Sequence, residues 1–295
     1  MSPSSPCAEL LRDAAQGRRP DREEALKLYT HSGFHELAQA AQALRWRLHP
    51  DPVVTYVVDR NINYSNICVC GCTFCAFHRS PGDPEGFVLD SEELRQKIEE
   101  TVRLGGTQIL LQGSHHPHLG LDFYTGLLSS IKERFPGLHI HGFSPPEIVH
   151  LSQIASLPVE EILQRLIAAG LDSIPGGGAE ILVDRVRRAI SPNKCQAAQW
   201  LDVMRTAHSL GLKTTATMMF GHKERPEERI EHLLALRSLQ EETGGFTAFI
   251  PWPFQPDNTA LRARKATSVE YLRLLALPRL VLDNIPNLQV SWVTM

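Results

Sequence analysis

Six times along this chain a helical stretch stops at glycine or asparagine and a short apolar run begins at once. Leu104-Gly-Gly106 leads into residues 107–111, Phe135-Pro-Gly137 into 138–141, and Ala169-Gly170 into 171–174. Leu210-Gly211, Thr243-Gly-Gly245 and Ile285-Pro-Asn287 precede 212–220, 246–250 and 288–293 in the same way. Glycine and asparagine tolerate the left-handed backbone that ends a helix, so each of these joints marks a helix-to-strand switch. Ahead of them, the β-branched run Val-Val-Thr-Tyr-Val-Val at 53–58 predicts a further strand. Seven strands alternating with helices predict a parallel sheet with right-handed crossovers. Units in that number most often curl into an α/β, TIM-like barrel.

The segments between the strands carry helix signals. Asp90 and Glu93 are spaced as a capping box, with Leu94, Ile98 and Val102 expected on one face. Ile230, Leu233, Leu234 and Leu239 repeat the pattern later in the chain. Before the barrel, residues 21–29 and 35–47 read as charged helices. The expected organisation is a small helical region at 1–52 and a βα barrel at 53–295.

A chain of 295 residues can bury a large core without disulfide staples. Its net charge of −3 argues against a protein that tracks nucleic-acid phosphates. No run of 18 apolar residues is present, so no membrane span is expected. The start, Met1-Ser-Pro-Ser-Ser-Pro-Cys7, has no basic and apolar leader, and a cytoplasmic location is the natural expectation. Six cysteines are too few for a disulfide framework at this length, yet Cys68, Cys70, Cys72 and Cys75 fall within eight residues.

Because glycine marks where each strand begins, the segments after the strands form the C-terminal face, where barrel enzymes place their chemistry. The loop after the first strand reads Asn61-Ile-Asn-Tyr-Ser-Asn-Ile-Cys68-Val-Cys-Gly-Cys72-Thr-Phe-Cys75-Ala-Phe-His-Arg79. Cys68, Cys72 and Cys75 have the spacing Cys-x3-Cys-x2-Cys, which suits an iron–sulfur cluster held from one loop. Three thiolates on a four-iron cluster leave one iron open for a substrate or cosubstrate. Gly71 lets the loop turn tightly. The rival reading is a structural zinc site using some of Cys68, Cys70, Cys72, Cys75 and His78. Such a site normally takes four ligands, often as two separated pairs, and no second pair follows. Cys70 is an extra thiol, read as a spectator with ligation as its alternative.

Cys-x3-Cys-x-Phe-Cys directly after the first strand of a βα barrel resembles the radical S-adenosylmethionine (SAM) superfamily. The resemblance implies a 4Fe-4S cluster held by Cys68, Cys72 and Cys75, whose open iron chelates the amino and carboxylate groups of SAM. It implies reductive cleavage of SAM to methionine and a 5′-deoxyadenosyl radical, with an electron donor such as flavodoxin or ferredoxin. Phe74, before the third cysteine, is implied beside the adenine. Asp59-Arg-Asn-Ile-Asn-Tyr-Ser-Asn-Ile-Cys68 and Cys75-Ala-Phe77 are similar to the group that holds the menaquinone enzymes of the futalosine route and the deazaflavin synthases. Four further stretches resemble the cyclic dehypoxanthine futalosine synthases: His141-Gly-Phe-Ser-Pro-Pro-Glu147, Ile174-Pro-Gly-Gly-Gly-Ala-Glu-Ile181, Thr217-Met-Met-Phe-Gly-His222 and Phe249-Ile-Pro-Trp-Pro-Phe-Gln-Pro256. The implied reaction takes hydrogen from ribose C4′ of dehypoxanthine futalosine and closes the sugar onto the attached benzoate. Aminofutalosine synthase is the nearest alternative.

Within that resemblance, Gln112 and the following Gly113 stand where the methionyl end of SAM is contacted, although Ser114 replaces the more usual glycine. His116 is a candidate for taking the ring proton, since imidazole titrates near neutral pH; a packed histidine is the alternative. Ser144 and Glu147 are candidates for ribose hydroxyls, and Ser-Pro-Pro-Glu is equally an ordinary helix start. Gly176, Gly177 and Gly178 are expected to let backbone approach a nucleoside-like ligand, with Glu180 accepting from a hydroxyl. Glu224 follows the fifth strand, where a Gly-x-x-Glu element lies beside the adenine. Trp252 and Phe254 either cap the barrel or stack on the aryl ring. Similar proteins continue past the point where this sequence stops, so a barrel truncated after its seventh strand is expected. Its open edges predict low solubility or self-association.

Overall fold

The computed structural model describes residues 7–291. Seven strands form one sheet in chain order: β1 (Asp59–Asn63), β2 (Gln108–Gln112), β3 (His139–Gly142), β4 (Ser173–Ile174), β5 (Lys213–Phe220), β6 (Phe246–Pro253) and β7 (Asn287–Leu288). Every neighbouring pair is parallel. Helices α1 (Ala8–Ala15), α2 (Arg22–His31) and α3 (Phe34–Leu48) precede the sheet. The crossovers are α4 (Ser91–Arg103), α5 (Leu121–Arg134), α6 (Pro145–Ala155), α7 (Val159–Ala168), α8 (Asp184–Ile190), α9 (Ala197–Ser209), α10 (Pro226–Thr243) and α11 (Ser268–Val281). Among the described residues no ladder joins β7 to β1, and the architecture is a half-barrel of seven parallel strands clothed by helices.

The glycine joints act as the sequence implies. Gly244 ends α10 at φ +62°, donating its N–H to Gln240 O at 2.8 Å, and β6 starts two residues later. Asp90 caps α4, accepting from Glu93 N at 2.8 Å while Asp90 N donates back to Glu93 at 3.3 Å. Leu94 and Ile98 are buried as expected, but Val102 is 45% exposed and Thr101 takes the core side. Three and four residues per turn carry 94, 98 and 101 down one stripe, and 102 falls past its edge.

The first strand is displaced from the β-branched run. Residues 53–58 form no strand, with Val54 87% and Tyr56 86% exposed, and β1 begins at Asp59. A strand needs a ladder on at least one side. On its β1 side β2 pairs with Asp59–Asn63, and among the described residues the run before it keeps one backbone bond to the β2 side, from Thr107 N to Val58 O at 3.3 Å, beside the Arg45 side chain on Val53 O at 3.1 Å. β-propensity describes fit to a pleated, half-buried surface, and here that surface is not offered. β7 is likewise shorter than the apolar run at 288–293, closing with Gln289 N to Phe249 O at 2.9 Å. Residues 292 and 293 of that run, together with 294–295 and residues 1–6 of the start, lie outside the described residues.

The N-terminal helices are tied to the last crossovers. Arg19 meets Asp283 at 2.8 Å and Glu241 at 2.5 Å, Arg273 donates to Ser32 O at 2.9 Å, and His49 Nε2 lies 2.8 Å from Pro286 O. No helix among the described residues is long and apolar enough to cross a membrane.

Candidate active site

β1 delivers the chain into the cysteine loop, and the loop is pinned to three others. Cys68 N donates to Arg79 O at 2.8 Å, closing the loop on itself. Val69 N donates to His115 O at 3.1 Å, reaching the segment after β2. Thr73 donates from its N–H and its hydroxyl to Ile190 O, at 2.9 and 3.1 Å, where α8 ends. Thr73 O in turn accepts from Leu261 N at 2.8 Å, from the segment after β6. Gly71 sits at φ +62°, the left-handed turn expected of it.

All four thiols in the loop are free. Cys70 is buried between Cys68 and Cys72 and its N–H lies 3.4 Å from Cys68 Sγ. Hydrogen bonding from Cys70 pulls Cys68 down to about 5 and also lowers Cys72, while the same contacts, with burial, hold Cys70 far up. Burial raises Cys75. Thiols on one loop, two of them already biased toward thiolate, are the donor chemistry a 4Fe-4S cluster requires.

Opposite the loop stands an ion pair that no motif announced. Lys194 Nζ lies 2.9 Å from Glu180 Oε1 and 5.0 Å from the centre of the Phe74 ring. Burial works against the ammonium, but Glu180 and Cys72 outweigh it and raise its affinity for the proton. Lys194 thus brings together Phe74 of the cysteine loop and Glu180 of the segment after β4. Glu180 itself has φ +45°, and Met219 N of β5 donates to its carbonyl at 3.0 Å.

A second cluster forms where β2, β3 and β4 end. A Cβ on Gly177 would meet Gln112 Nε2 at 3.0 Å and Ser144 Cβ at 3.3 Å, so these three candidates are mutual neighbours. Glu147 lies behind them. Its Oε1 accepts from Tyr64 OH at 2.8 Å and Gly113 N at 3.1 Å, and its Oε2 accepts from Ser144 N at 2.7 Å and Ser144 Oγ at 2.6 Å. Burial raises the Glu147 carboxyl, against these bonds. Both oxygens are therefore engaged within the protein, an arrangement that positions loops. Gly113 lies over the Tyr64 ring, where a Cβ would come within 2.2 Å of Cζ.

The glycine run has an intramolecular reason as well. A Cβ on Gly176 would fall 2.7 Å from Ala216 Cα and Thr217 N of β5, and one on Gly178, at φ +73°, would fall 2.3 Å from Pro146 Cγ. Gly176 and Gly178 thus lie close against β5 and α6, and Gly177 faces Gln112.

Other candidates stand apart. Glu224 accepts from Gly221 N at 2.6 Å, His222 N at 2.9 Å and Arg229 Nε at 2.8 Å; burial opposes its charge, but His222, Arg229 and those amides hold it low. Phe254 is buried behind it, its ring 6.2 Å from that of His222, whereas Trp252 is half-buried on β6 opposite Met219. His116 Nδ1 accepts from His118 N at 3.1 Å, and its carbonyl lies 3.1 Å from His150 Nε2. It is His115, the neighbour passed over in the sequence, that borders a cavity of about 330 Å³ together with Val69, His150, Asn193 and Lys194. His115 is buried and its Nε2 has no partner among the described residues.

The Radical SAM superfamily pattern matches residues 62–236, a span that takes in the cysteine loop, α8, Lys194 and β5. The chain belongs to the radical SAM superfamily. It is an enzyme of that kind, and its cofactors are a 4Fe-4S cluster and SAM; the zinc alternative is set aside. The CofH/MqnC C-terminal region matches residues 243–295. The chain is 47% identical to a cyclic dehypoxanthine futalosine synthase of Halalkalibacterium halodurans, over 97% of this chain and 78% of that protein. It is 44% identical to 5-amino-6-(D-ribitylamino)uracil–L-tyrosine 4-hydroxyphenyl transferase 1 of Methanosarcina acetivorans, over 97% and 76%. It is 42% identical to an aminodeoxyfutalosine synthase of Thermus thermophilus, over 95% and 76%. Among solved structures, methylornithine synthase shares the fold at a TM-score of 0.72 and 16% identity, with 94% of this chain and 77% of that chain covered.

Proposed function

We propose that this enzyme cyclises dehypoxanthine futalosine, joining ribose C4′ to the benzoate ring with net loss of two hydrogens. The observation that carries the reading is the 47% identity to a synthase of that name across nearly the whole chain. Cys68, Cys72 and Cys75 hold the cluster. Phe74 and the Glu180–Lys194 pair line the nucleoside end of SAM, and Gln112, Ser144 and Gly177 line its other end. When bound, cluster and SAM together supply a 5′-deoxyadenosyl radical able to take a hydrogen atom from an unactivated carbon. The chain's own part is to hold C4′ and the aryl ring in contact and to keep the site closed to water. Trp252, half-buried at the end of β6, offers the face for the aryl ring. His116 is the candidate to take the ring proton: burial lowers its affinity for protons, and Nδ1, which accepts from His118 N, is its lone-pair nitrogen, so the proton would go to Nδ1 in place of that bond while Nε2 carries the N–H. The reaction is placed in the cytoplasm, with flavodoxin or ferredoxin as electron source.

The test is product mass. Anaerobically reconstituted protein with dehypoxanthine futalosine, SAM and dithionite should yield a product two hydrogens lighter than substrate, plus 5′-deoxyadenosine. An adduct in which the 5′-deoxyadenosyl group of SAM has added to an enolpyruvyl-type acceptor, or aryl transfer from tyrosine to a ribitylaminouracil, would replace this reading by one of the other two.

A further inference from the structure

Arg187 is a buried arginine, 2% exposed, that none of the site motifs includes. Among the described residues no carboxylate pairs with it. Instead its guanidinium is spent chiefly on backbone, with Nη2 also 3.7 Å from Cys195 Sγ. Nη1 donates to Gly178 O at 3.0 Å and to Ala179 O at 2.6 Å. Nε and Nη2 both donate to Cys195 O, at 3.0 and 2.6 Å. One planar fork therefore joins the end of the glycine run to the turn before α9.

The two anchor points have a common feature. Ala179 immediately precedes Glu180, and Cys195 immediately follows Lys194. The fork grips the backbone next to each member of the ion pair that faces Phe74. That pair needs such support for two reasons. Buried charges are repaid only when their geometry is held closely. Glu180 also keeps a left-handed backbone, φ +45°, which a residue with a side chain holds only where its surroundings over-determine it. Arg187 on one side and Met219 N on the other supply that constraint. A lysine could reach one of these carbonyl groups but lacks the rigid fork that spans both.

We propose that Arg187 is a positioning residue for cofactor binding: it sets the spacing of the Glu180–Lys194 pair against Phe74, and through it the seat of SAM. The proposal rests on the reading above of Glu180 and Phe74 as cofactor-side residues, and is independent of which substrate is cyclised.

The experiment measures equilibrium SAM binding to anaerobically reconstituted protein, with iron content, unfolding midpoint and the spectrum of the reduced cluster without SAM as companions. Arg187→Lys should weaken SAM binding by about tenfold or more, as loss of a supporting shell typically does, while iron content and the SAM-free spectrum stay as in the parent. Glu180→Gln should weaken binding too, and the double variant should be no worse than the poorer single one, because both remove the same arrangement. Additive losses, unchanged binding in Arg187→Lys, or unchanged binding in Glu180→Gln would each overturn the proposal. If Arg187→Lys does not fold, Arg187→Gln takes its place, since its amide serves one carbonyl and the coupling to Glu180 remains the deciding quantity. None of these outcomes depends on product identity, so failure of the cyclase reading would show separately in the mass assay.

Discussion

Replacing Glu147 by glutamine should destabilise the fold more than it alters the chemistry. The carboxylate serves four donors, two on each oxygen: Tyr64 OH and Gly113 N on one, Ser144 N and Oγ on the other. Glutamine keeps one acceptor oxygen and turns an NH2 toward the other pair, so two bonds are lost and two donors face each other. Hydrogen bonds to a charged group contribute about 1.5–3 kcal/mol each, so the gross loss is about 3–6 kcal/mol. Two effects move the net figure to the low end. Burial already disfavours the charged carboxylate, raising its pKa, and a neutral amide avoids that cost. Tyr64 OH also has Ser114 O within 3.3 Å as a partial refuge. The expected change is about 3 kcal/mol, a large part of the 5–15 kcal/mol typical of a folded protein. Urea unfolding under anaerobic conditions reads it, with turnover per folded molecule measured beside it. A variant as stable as the parent, yet without activity, would show that Glu147 acts on the substrate and that the bonding argument is wrong.

Cys68→Ala, Cys72→Ala and Cys75→Ala should each abolish SAM cleavage and lower bound iron, whereas Cys70→Ala should retain both; anaerobic iron and deoxyadenosine assays decide it. Trp252→Ala should impair cyclisation more than uncoupled deoxyadenosine release, and equal losses would place the residue nearer the cofactor. Gly176→Ala should be markedly destabilising, because its Cβ would lie 2.7 Å from the β5 backbone, while Gly177→Ala should be milder because the Gln112 side chain at 3.0 Å is able to yield; denaturation midpoints rank them. His141 and His232 are held down to about 3 and His208 to about 4, chiefly by burial. These folded values lie below the unfolded 6.5, so the stability is full above that pH and is lost as pH falls from about 6.5 toward 4 for His208 and toward 3 for His141 and His232. Each histidine contributes up to about 1.4 kcal/mol per pH unit across that window, and an unfolding free energy that stayed flat between pH 7.5 and 5 would contradict it.

The alternation of strands and helices was legible in the chain because it is written in local chemistry. Gly211 and Gly244 stop helices where no residue with a side chain would sit easily, and the apolar runs that follow have the length of buried parallel strands. The cysteine loop was legible for the same reason: all its thiols lie within eight residues of sequence, and Gly71 turns among them. The position of β1 was not, because pairing with β2 selects Asp59–Asn63 over the more β-prone run before it, and a ladder partner is a long-range fact. Lys194 and Arg187 carry no spacing signal at all. Lys194 reaches Glu180 fourteen residues back and Phe74 far earlier in the chain, and Arg187 grips carbonyl groups, which look alike in every sequence. Glu147 shows both sides: its helix-start pattern predicted the bond to Ser144, but only the meeting of β1, β2 and α6 supplied Tyr64 and Gly113. The fold class and the thiol loop follow from backbone preferences that act within a few residues. Which polar groups are sealed together does not, because burial and hydrogen-bond partners arise only when distant segments close on one another.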